Sequence, residues 1–308
     1  MIPQKKNAPD DPAGGYICSD CPRRCAARRD EYGGAGFCRT GSVPRAARAA
    51  LHFWEEPCIS GTRGSGAVFF SGCALRCVYC QNAQISAGGF GEELSVQRLR
   101  EIYARLIAQG AHNINLVTPT HFLRAVRASL TPRLSVPVVW NCGGYESAEA
   151  LRSLEGLVQI YLPDLKYADA ALAARLSAAP DYPETARAAV LEMFRQTGPY
   201  VMGDDGLLRS GVVIRHLVLP GQLENTFRVI DWVAETFSPG DVLFSLMSQY
   251  TPTAAVRGAG ALGRGLTQAE HDAAVARLEQ AGIEDGFYQD RGSASESFIP
   301  AFDLTGLR

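Results

Sequence analysis

Several features that would direct a protein to a membrane or to nucleic acid are missing from this chain of 308 residues. No apolar run approaches the roughly 18 residues that a membrane span needs. The N-terminal stretch MIPQKKNAPDDPAGG lacks the apolar core of a secretory signal, so we expect a cytoplasmic protein. The formal net charge is only −2, which provides no global field to attract nucleic acid or an anionic membrane.

Lysine is also scarce, because the chain has 27 arginines and 3 lysines. Two of the lysines lie within the first six residues, and Lys166 is the only lysine in residues 16–308. A surface ion pair in this chain would by default use arginine. The ammonium group of Lys166 therefore indicates a specific function, such as a contact with a ribose or a carboxylate of a cofactor.

Cysteine is abundant, with nine residues in the chain. The cytosol keeps thiols reduced, so a disulfide framework is not expected. Clustered thiols in a reducing compartment indicate metal ligands. Seven of the nine fall into two tight clusters: Cys18, Cys21, Cys25 and Cys38, and then Cys73, Cys77 and Cys80.

The order of apolar and polar segments predicts an α/β protein. We expect a disordered tail over residues 1–15, a cysteine-rich metal-binding module over 16–66, and an α/β domain with a C-terminal extension over 67–308. Six apolar segments alternate with helical patterns, which favours a parallel sheet, either a partial (βα)6 barrel or an open doubly wound sheet. The predicted strands are Ala67–Phe70, Ile114–Val117, Val136–Trp140, Val158–Leu162, Val212–Leu219 and Val242–Leu246. The predicted helices are Ser95–Gln109, Phe122–Ser129, Ser147–Leu154, Asp181–Gln196, Glu224–Thr236 and Thr267–Gly282, the last with a capping box at Thr267 and Glu270.

The second cysteine cluster lies in SGCALRCVYCQN, residues 71–82, directly after the apolar strand AVFF. Its spacing is C-x3-C-x2-C. Three thiolates on one loop bind three irons of a 4Fe–4S cluster and leave the fourth iron open to a small molecule. Zinc fits less well, because structural zinc sites use four protein ligands.

This motif, with the aromatic Tyr79 before its last cysteine, resembles the signature of the radical S-adenosylmethionine superfamily. The segments LHFWEEPCISG, GSGAVFFSGC and CQNAQIS resemble the branch of pyruvate formate-lyase activating enzymes that carries an N-terminal cysteine cluster. The likeness extends over residues 16–303. It implies a partial (βα)6 barrel that binds S-adenosylmethionine at the open iron, with Cys73, Cys77 and Cys80 as the catalytic cluster ligands. It also implies a 5′-deoxyadenosyl radical, a glycyl radical enzyme or another protein as substrate, and a flavodoxin- or ferredoxin-type electron donor.

The same resemblance implies a set of cofactor-binding residues in the cysteine loop and at the carboxyl ends of the strands. Asp164 and Lys166 match an Asp-Leu-Lys motif, and Arg215 resembles an arginine that precedes Val-Pro-Gly. The Gly-Gly-Glu motif of the family is replaced here by Thr118, Pro119 and Thr120, and an Asp-Thr pair is replaced by Asn141 and Cys142. The full set is Tyr79, Asn82, Thr118, Thr120, Asn141, Asp164, Lys166, Arg215 and Tyr250.

The first cysteine cluster has the spacing C-x2-C-x3-C-x12-C, and four thiolates saturate either zinc or a second 4Fe–4S cluster. The spacing does not decide between them. Cys58 is a spare candidate ligand that is better interpreted as a lone thiol. Cys142 is interpreted as an isolated thiol that packs as a small apolar side chain rather than as a catalytic group.

Two alternatives to an activating enzyme stay open. The first is radical modification of a small molecule or another macromolecule. The second is a non-catalytic iron–sulfur electron carrier, which the open fourth iron disfavours because carriers saturate their clusters.

Overall fold

The computed structural model describes residues 15–31, 33–289 and 300–308. The predicted disordered tail, apart from Gly15, lies outside these ranges. A small antiparallel sheet comes first, and all four N-terminal cysteines lie in the loops beside it. Its strands are β1 (Tyr16–Ile17), β2 (Arg28–Asp30) and β3 (Gly33–Gly34).

A ten-stranded sheet forms the centre of the protein. Its strands are β4 (Arg45–His52), β5 (Ser65–Phe70), β6 (Glu92–Glu93), β7 (Ile114–Val117), β8 (Val138–Cys142), β9 (Ile160–Pro163), β10 (Val201–Met202), β11 (Leu208–Leu217), β12 (Leu243–Met247) and β13 (Gly286–Tyr288). Strands β5, β7, β8, β9, β11, β12 and β13 follow one another in that order and pair in parallel. The order never reverses, so the sheet has no topological switch point and is wound as a barrel rather than doubly wound.

Helices connect the parallel strands. They are α1 (Pro57–Ser60), α2 (Ala83–Ser86), α3 (Val96–Ala108), α4 (Leu123–Ser129), α5 (Ala148–Arg152), α6 (Ala170–Ser177), α7 (Tyr182–Thr197), α8 (Leu223–Thr236) and α9 (Gln268–Gln280). Helix α3 shows why such segments are helical: it buries Leu99, Ile102, Tyr103 and Leu106, which share one face at helical spacing. Helix α9 begins with the predicted capping box at Thr267 and Glu270. Among the helices of the described ranges, none combines the length and apolar content needed to cross a membrane.

The predicted α/β class with a mostly parallel sheet is confirmed, and all six predicted strands occur within a few residues of their expected bounds. Strand β4 was not predicted. It lies inside the range expected for the cysteine-rich module, yet it pairs with β5 from Ala46 to His52, with one register shift between Ala46 and Arg48. The strand was not predicted because small alanines form the buried positions of its sequence, RAARAALH, and give a weak apolar signal.

Candidate functional site

The loop that carries Cys73, Cys77 and Cys80 follows β5, all six residues of which are buried. Hydrogen-bond donors point at each sulfur. The Leu75 amide lies 3.3 Å from Cys73 Sγ, the Ser86 hydroxyl 3.3 Å from Cys80 Sγ, and the Ser177 hydroxyl 2.9 Å from Cys77 Sγ. Hydrogen bonds to sulfur favour the thiolate form, which is the form that binds metal.

Burial works against ionisation of the same thiols. It raises the pKa of Cys73 to about 12 and raises the pKa of Cys80 as well. A thiolate at neutral pH therefore needs a positively charged partner, and a metal centre supplies that charge.

The donor set of this loop fits an iron–sulfur cluster. Within the described residues, no three His, Cys, Asp or Glu side chains converge on a single metal ion. A 4Fe–4S cluster does not require that convergence, because each thiolate binds its own iron. Three soft sulfur donors on one loop match this cluster type.

Aromatic residues fasten the cysteine loop to its neighbours. The Tyr79 hydroxyl is buried and accepts a hydrogen bond from Tyr167 at 2.9 Å. The Tyr250 ring lies 6.2 Å from the Tyr79 ring, and its hydroxyl donates to the Leu262 carbonyl at 2.7 Å. Tyr250 therefore lies beside the loop, but its hydroxyl proton is donated to the Leu262 carbonyl and not to a cofactor. Asn82 directly precedes α2, and its side chain makes no capping hydrogen bond to the helix.

A network of charged side chains crosses the interior of the barrel below this loop. Arg215 donates to Asp164 Oδ1 at 2.9 Å, to Asn141 Oδ1 at 2.7 Å and to Glu55 Oε2 at 2.9 Å. Lys166 Nζ donates to Asp164 Oδ2 at 2.6 Å. Four residues predicted from the sequence are therefore in direct contact: Asn141 on β8, Arg215 on β11, and Asp164 and Lys166 just after β9.

Glu55 is the member of this network that the sequence analysis missed. Its Oε1 accepts hydrogen bonds from Asn115 at 3.0 Å and from Asn141 at 3.1 Å. It comes from the segment between β4 and α1, so it enters the barrel from outside the parallel strands. Its signal in the sequence was a pair of acidic residues, Glu55 and Glu56, just before Pro57 at the start of a buried helix.

The network is balanced in charge, with carboxylates at Glu55 and Asp164 and cations at Arg215 and Lys166. Burial opposes the charge of Lys166, but Asp164 and the nearby Cys77 sulfur outweigh it and raise the pKa of the ammonium group. For Asp164, burial is likewise outweighed, by Arg215 and Lys166, and its pKa is lowered. Lys166 therefore stays charged where the barrel interior meets the cysteine loop.

The two threonines that replace the Gly-Gly-Glu motif differ in environment. Thr118 directly follows β7 with a left-handed backbone, φ 59°, and is half-buried. Thr120 is buried, and its hydroxyl donates to Glu146 Oε1 at 2.6 Å. The hydroxyl proton of Thr120 is therefore used within the protein, whereas no such internal bond is seen for Thr118 among the described residues.

Glu146 is buried, and that burial raises its pKa to about 7. The folded chain thus holds this proton more tightly than the unfolded chain, so the contribution of Glu146 to stability is greatest below pH 4.5 and is lost as the pH rises to about 7. Between pH 4.5 and about 7, ionisation of Glu146 should lower the free energy of unfolding by roughly 3 kcal/mol, and Glu146→Gln should abolish this decrease. Chemical denaturation at a series of pH values measures it.

Glu192→Gln is the matched control for Glu146→Gln, because its side chain is also buried but Arg195 holds its pKa below the usual value. This control should not flatten the profile in the same interval. An unchanged slope in Glu146→Gln would show that Glu146 is ionised throughout.

The N-terminal cysteines line one common cavity. Its wall includes Cys18, Cys21, Cys25 and Cys38, together with Asp20, Arg23, Ala27, Arg29, Gly36, Phe37, Ala74 and His121. A Cβ on Gly36 would lie 3.1 Å from Cys25 Sγ and 3.9 Å from Cys38 Sγ, so glycine leaves room for both sulfurs. Nδ1 of His121 is buried without a hydrogen-bond partner among the described residues.

Arg29 supplies a buried positive charge to this cavity. It is 1% exposed, and its guanidinium lies 3.2 Å from Cys38 Sγ and 3.7 Å from Cys18 Sγ. It also donates to the backbone carbonyl of His121. Burial raises the pKa of Cys21 to about 12, so these thiols too need a cationic partner to ionise. Four sulfurs, one cation and a fitted wall suit a 4Fe–4S cluster, in which each thiolate binds its own iron and convergence on a single metal ion is not required.

The two cysteine clusters adjoin the same short stretch of chain. Ala74, next to Cys73, forms part of the wall of the N-terminal cavity. Arg23 binds across the boundary, donating to the Ala74 carbonyl at 2.7 Å and to the Ser177 carbonyl at 2.7 Å. Because the Ser177 hydroxyl contacts Cys77, only a few hydrogen-bonded groups separate the N-terminal cavity from the loop that carries Cys73, Cys77 and Cys80.

Residues 67–232, more than half of the chain, match the sequence model of the Radical SAM superfamily. The chain therefore belongs to the radical S-adenosylmethionine superfamily. Proteins of this superfamily typically use a 4Fe–4S cluster and S-adenosylmethionine, in agreement with that part of the sequence analysis.

Among curated proteins, the chain is similar to the uncharacterized protein MJ0674 of Methanocaldococcus jannaschii. The two are 26% identical over 277 residues, covering 87% of this chain and 75% of that protein. Among solved structures, Streptococcus suis SuiB bound to S-adenosylmethionine aligns at TM-score 0.47 and 12% identity, covering 71% of this chain. The alignment spans about half of SuiB, 48%. Methylornithine synthase (PylB) aligns at TM-score 0.45 and 14% identity, covering 70% of this chain and 68% of PylB.

Proposed function

We propose that this protein is a radical enzyme whose cluster ligands are Cys73, Cys77 and Cys80. The observation that carries the proposal is the loop itself: three thiols in C-x3-C-x2-C spacing, each with a hydrogen-bond donor at its sulfur, directly after the first parallel strand. When bound there, a 4Fe–4S cluster supplies the electron that cleaves S-adenosylmethionine to methionine and a 5′-deoxyadenosyl radical.

The protein's own part is to bind and orient the cofactor. Lys166 keeps its charge at the cysteine loop and offers an ammonium group to a cofactor carboxylate or ribose. Asp164 and Arg215 hold Lys166 and Asn141 in position. Thr118 directly follows β7, and its hydroxyl makes no internal hydrogen bond among the described residues. It is therefore our candidate for the contact with the amino group of the methionine moiety, which Gly-Gly-Glu makes in relatives.

For the substrate, we propose a glycine residue of a partner protein, from which the radical abstracts hydrogen. The support is the likeness of the segments around Glu55, Cys73 and Cys80 to glycyl-radical-enzyme activators. A second candidate is hydrogen abstraction from a small molecule or another macromolecule. The replacement of Gly-Gly-Glu favours this alternative, and so does the N-terminal cysteine cavity, because both make the branch that this chain resembles atypical among activators.

The experiment is anaerobic incubation of the reduced, reconstituted protein with S-adenosylmethionine. Formation of 5′-deoxyadenosine supports the radical reaction, and its absence with a full complement of iron would reject it. Deuterium transfer from a glycine-labelled partner into 5′-deoxyadenosine would identify a glycyl substrate. Deuterium transfer only from added small molecules would favour the second candidate.

Lys166→Ala provides a more local test of cofactor binding. We expect its affinity for S-adenosylmethionine to fall by about 1.5–3 kcal/mol, the value of a charge-assisted hydrogen bond, with iron content unchanged. Calorimetric titration of the reconstituted variant gives the affinity. Lys166→Arg keeps the charge and should recover part of the loss. Equal affinities for all three proteins would leave Lys166 as a purely structural partner of Asp164.

We further propose that the N-terminal cavity holds a second 4Fe–4S cluster, which passes electrons to the first. The support is the buried charge of Arg29 beside two of the sulfurs and the shared wall at Ala74. Zinc at the same thiols would stabilise the fold without redox chemistry. Metal analysis separates the two: about eight irons per chain for a second cluster, or about four irons with one zinc.

A further inference from the structure

The N-terminal cavity has one exposed corner. Cys18 and Cys21 are buried and Cys38 is half-buried, whereas Cys25 is exposed. A redox centre held by these four thiolates therefore comes closest to solvent at Cys25. Since electron transfer between proteins falls steeply with distance, Cys25 marks the point where an external donor best approaches the centre.

Three arginines accompany this corner. Arg24 directly precedes Cys25, Arg39 directly follows Cys38, and Arg28 begins β2. The sulfurs of Cys25 and Cys38 both lie near Gly36, so the backbones at Arg24 and Arg39, their neighbours in sequence, come close together beside this part of the cavity. All three arginines are exposed, and none of their side chains makes a hydrogen bond or an ion pair with the described part of the chain.

Other exposed arginines on this protein are commonly paired with carboxylates. Arg195 lies 2.9 Å from Glu155, and Arg264 lies 2.6 Å from Glu270. The carboxylate in the cavity wall, Asp20, is buried and lies 3.3 Å from Arg124. It therefore does not neutralise the exposed corner. Unpaired cations around a redox ligand attract a negatively charged partner and speed its association.

We propose that Arg24, Arg28, Arg39 and Cys25 form the docking surface for a small acidic electron-transfer protein that carries a flavin or an iron–sulfur cluster. The donor loses one electron, the N-terminal cluster gains it, and no atom moves. The electron leaves through the part of the wall formed by Ala74, which adjoins Cys73. This inference rests on the second cluster proposed above.

The test compares two double variants with the same change in charge. R24E/R39E alters the docking surface, and R133E/R257E alters two exposed arginines elsewhere that also lack partners among the described residues. Anaerobic stopped-flow absorbance follows reduction of the iron–sulfur chromophore by reduced flavodoxin at low ionic strength. We expect R24E/R39E to be at least about tenfold slower, in the range of electrostatic steering, and R133E/R257E to change little. Added salt should slow the unaltered protein and largely remove its advantage over R24E/R39E.

A neutral photoreductant, deazaflavin, shows whether the centres themselves are intact. It should reduce all three proteins at the same rate, because it needs no docking. Equal rates with flavodoxin for R24E/R39E and the unaltered protein would overturn the proposal, as would equal slowing in both double variants. If R24E/R39E loses iron, Arg28→Glu serves instead, since Arg28 lies on β2 rather than in a cysteine loop. Zinc in place of the second cluster would also overturn the proposal, whereas deazaflavin-driven formation of 5′-deoxyadenosine would still support the catalytic function.

Discussion

Replacement of Cys77 by alanine is expected to abolish 5′-deoxyadenosine formation and to remove about four irons per chain. Cys77 is the middle ligand of the proposed cluster, and its sulfur accepts the Ser177 hydroxyl at 2.9 Å. With two thiolates left on the loop, the cluster loses one of its three protein bonds. Iron analysis and chromatographic measurement of 5′-deoxyadenosine, both under anaerobic conditions, give the result.

Cys58→Ala is the matched control for Cys77→Ala. Cys58 is buried, with 3% of its surface exposed, and packs beside Ile160 and Leu208 in an apolar cluster away from both cysteine sets. Its replacement should leave iron content and cofactor cleavage unchanged. Full iron content and undiminished cleavage in Cys77→Ala would show that the catalytic cluster is held elsewhere.

Replacement of Glu55 by alanine is expected to lower the free energy of unfolding by about 3–5 kcal/mol, the usual cost of removing one partner from a buried ion pair. The side chains of Glu55 and Arg215 are 9% and 13% exposed, so little solvent screens their contact. Without Glu55, the network holds two cations against Asp164, and the amides of Asn115 and Asn141 lose an acceptor. Chemical denaturation gives the change.

Glu101→Ala is the control for the loss of one acidic residue. Glu101 lies on α3 and makes an exposed ion pair with Arg98 at 2.9 Å, which solvent screens. Its replacement should leave the unfolding midpoint within experimental error. A similarly small effect in Glu55→Ala would mean that Arg215 is adequately held by Asp164 and Asn141 alone.

Local sequence was sufficient for the cysteine loop and for the positions of the parallel strands along the chain, whereas their order in the sheet was decided by the fold. The spacing of Cys73, Cys77 and Cys80 is a short-range property, and a tight loop after a buried strand keeps such residues together. The prediction that Asp164 and Lys166 belong to the same site was also local, because residues two apart on an extended segment face the same side. Their ion pair at 2.6 Å follows from that geometry.

Tertiary structure alone decided how distant segments share one site. Glu55 meets Arg215, 160 residues away, and no periodicity in either segment encodes that contact. The hydroxyls of Thr120 and Tyr250 were available in the sequence, but folding commits their protons to Glu146 and the Leu262 carbonyl. Likewise, Ala74 joins the N-terminal cavity only because the small sheet packs against the loop after β5. Sequence patterns report which face of one element is buried, whereas the partner of a buried polar group depends on how all the elements pack.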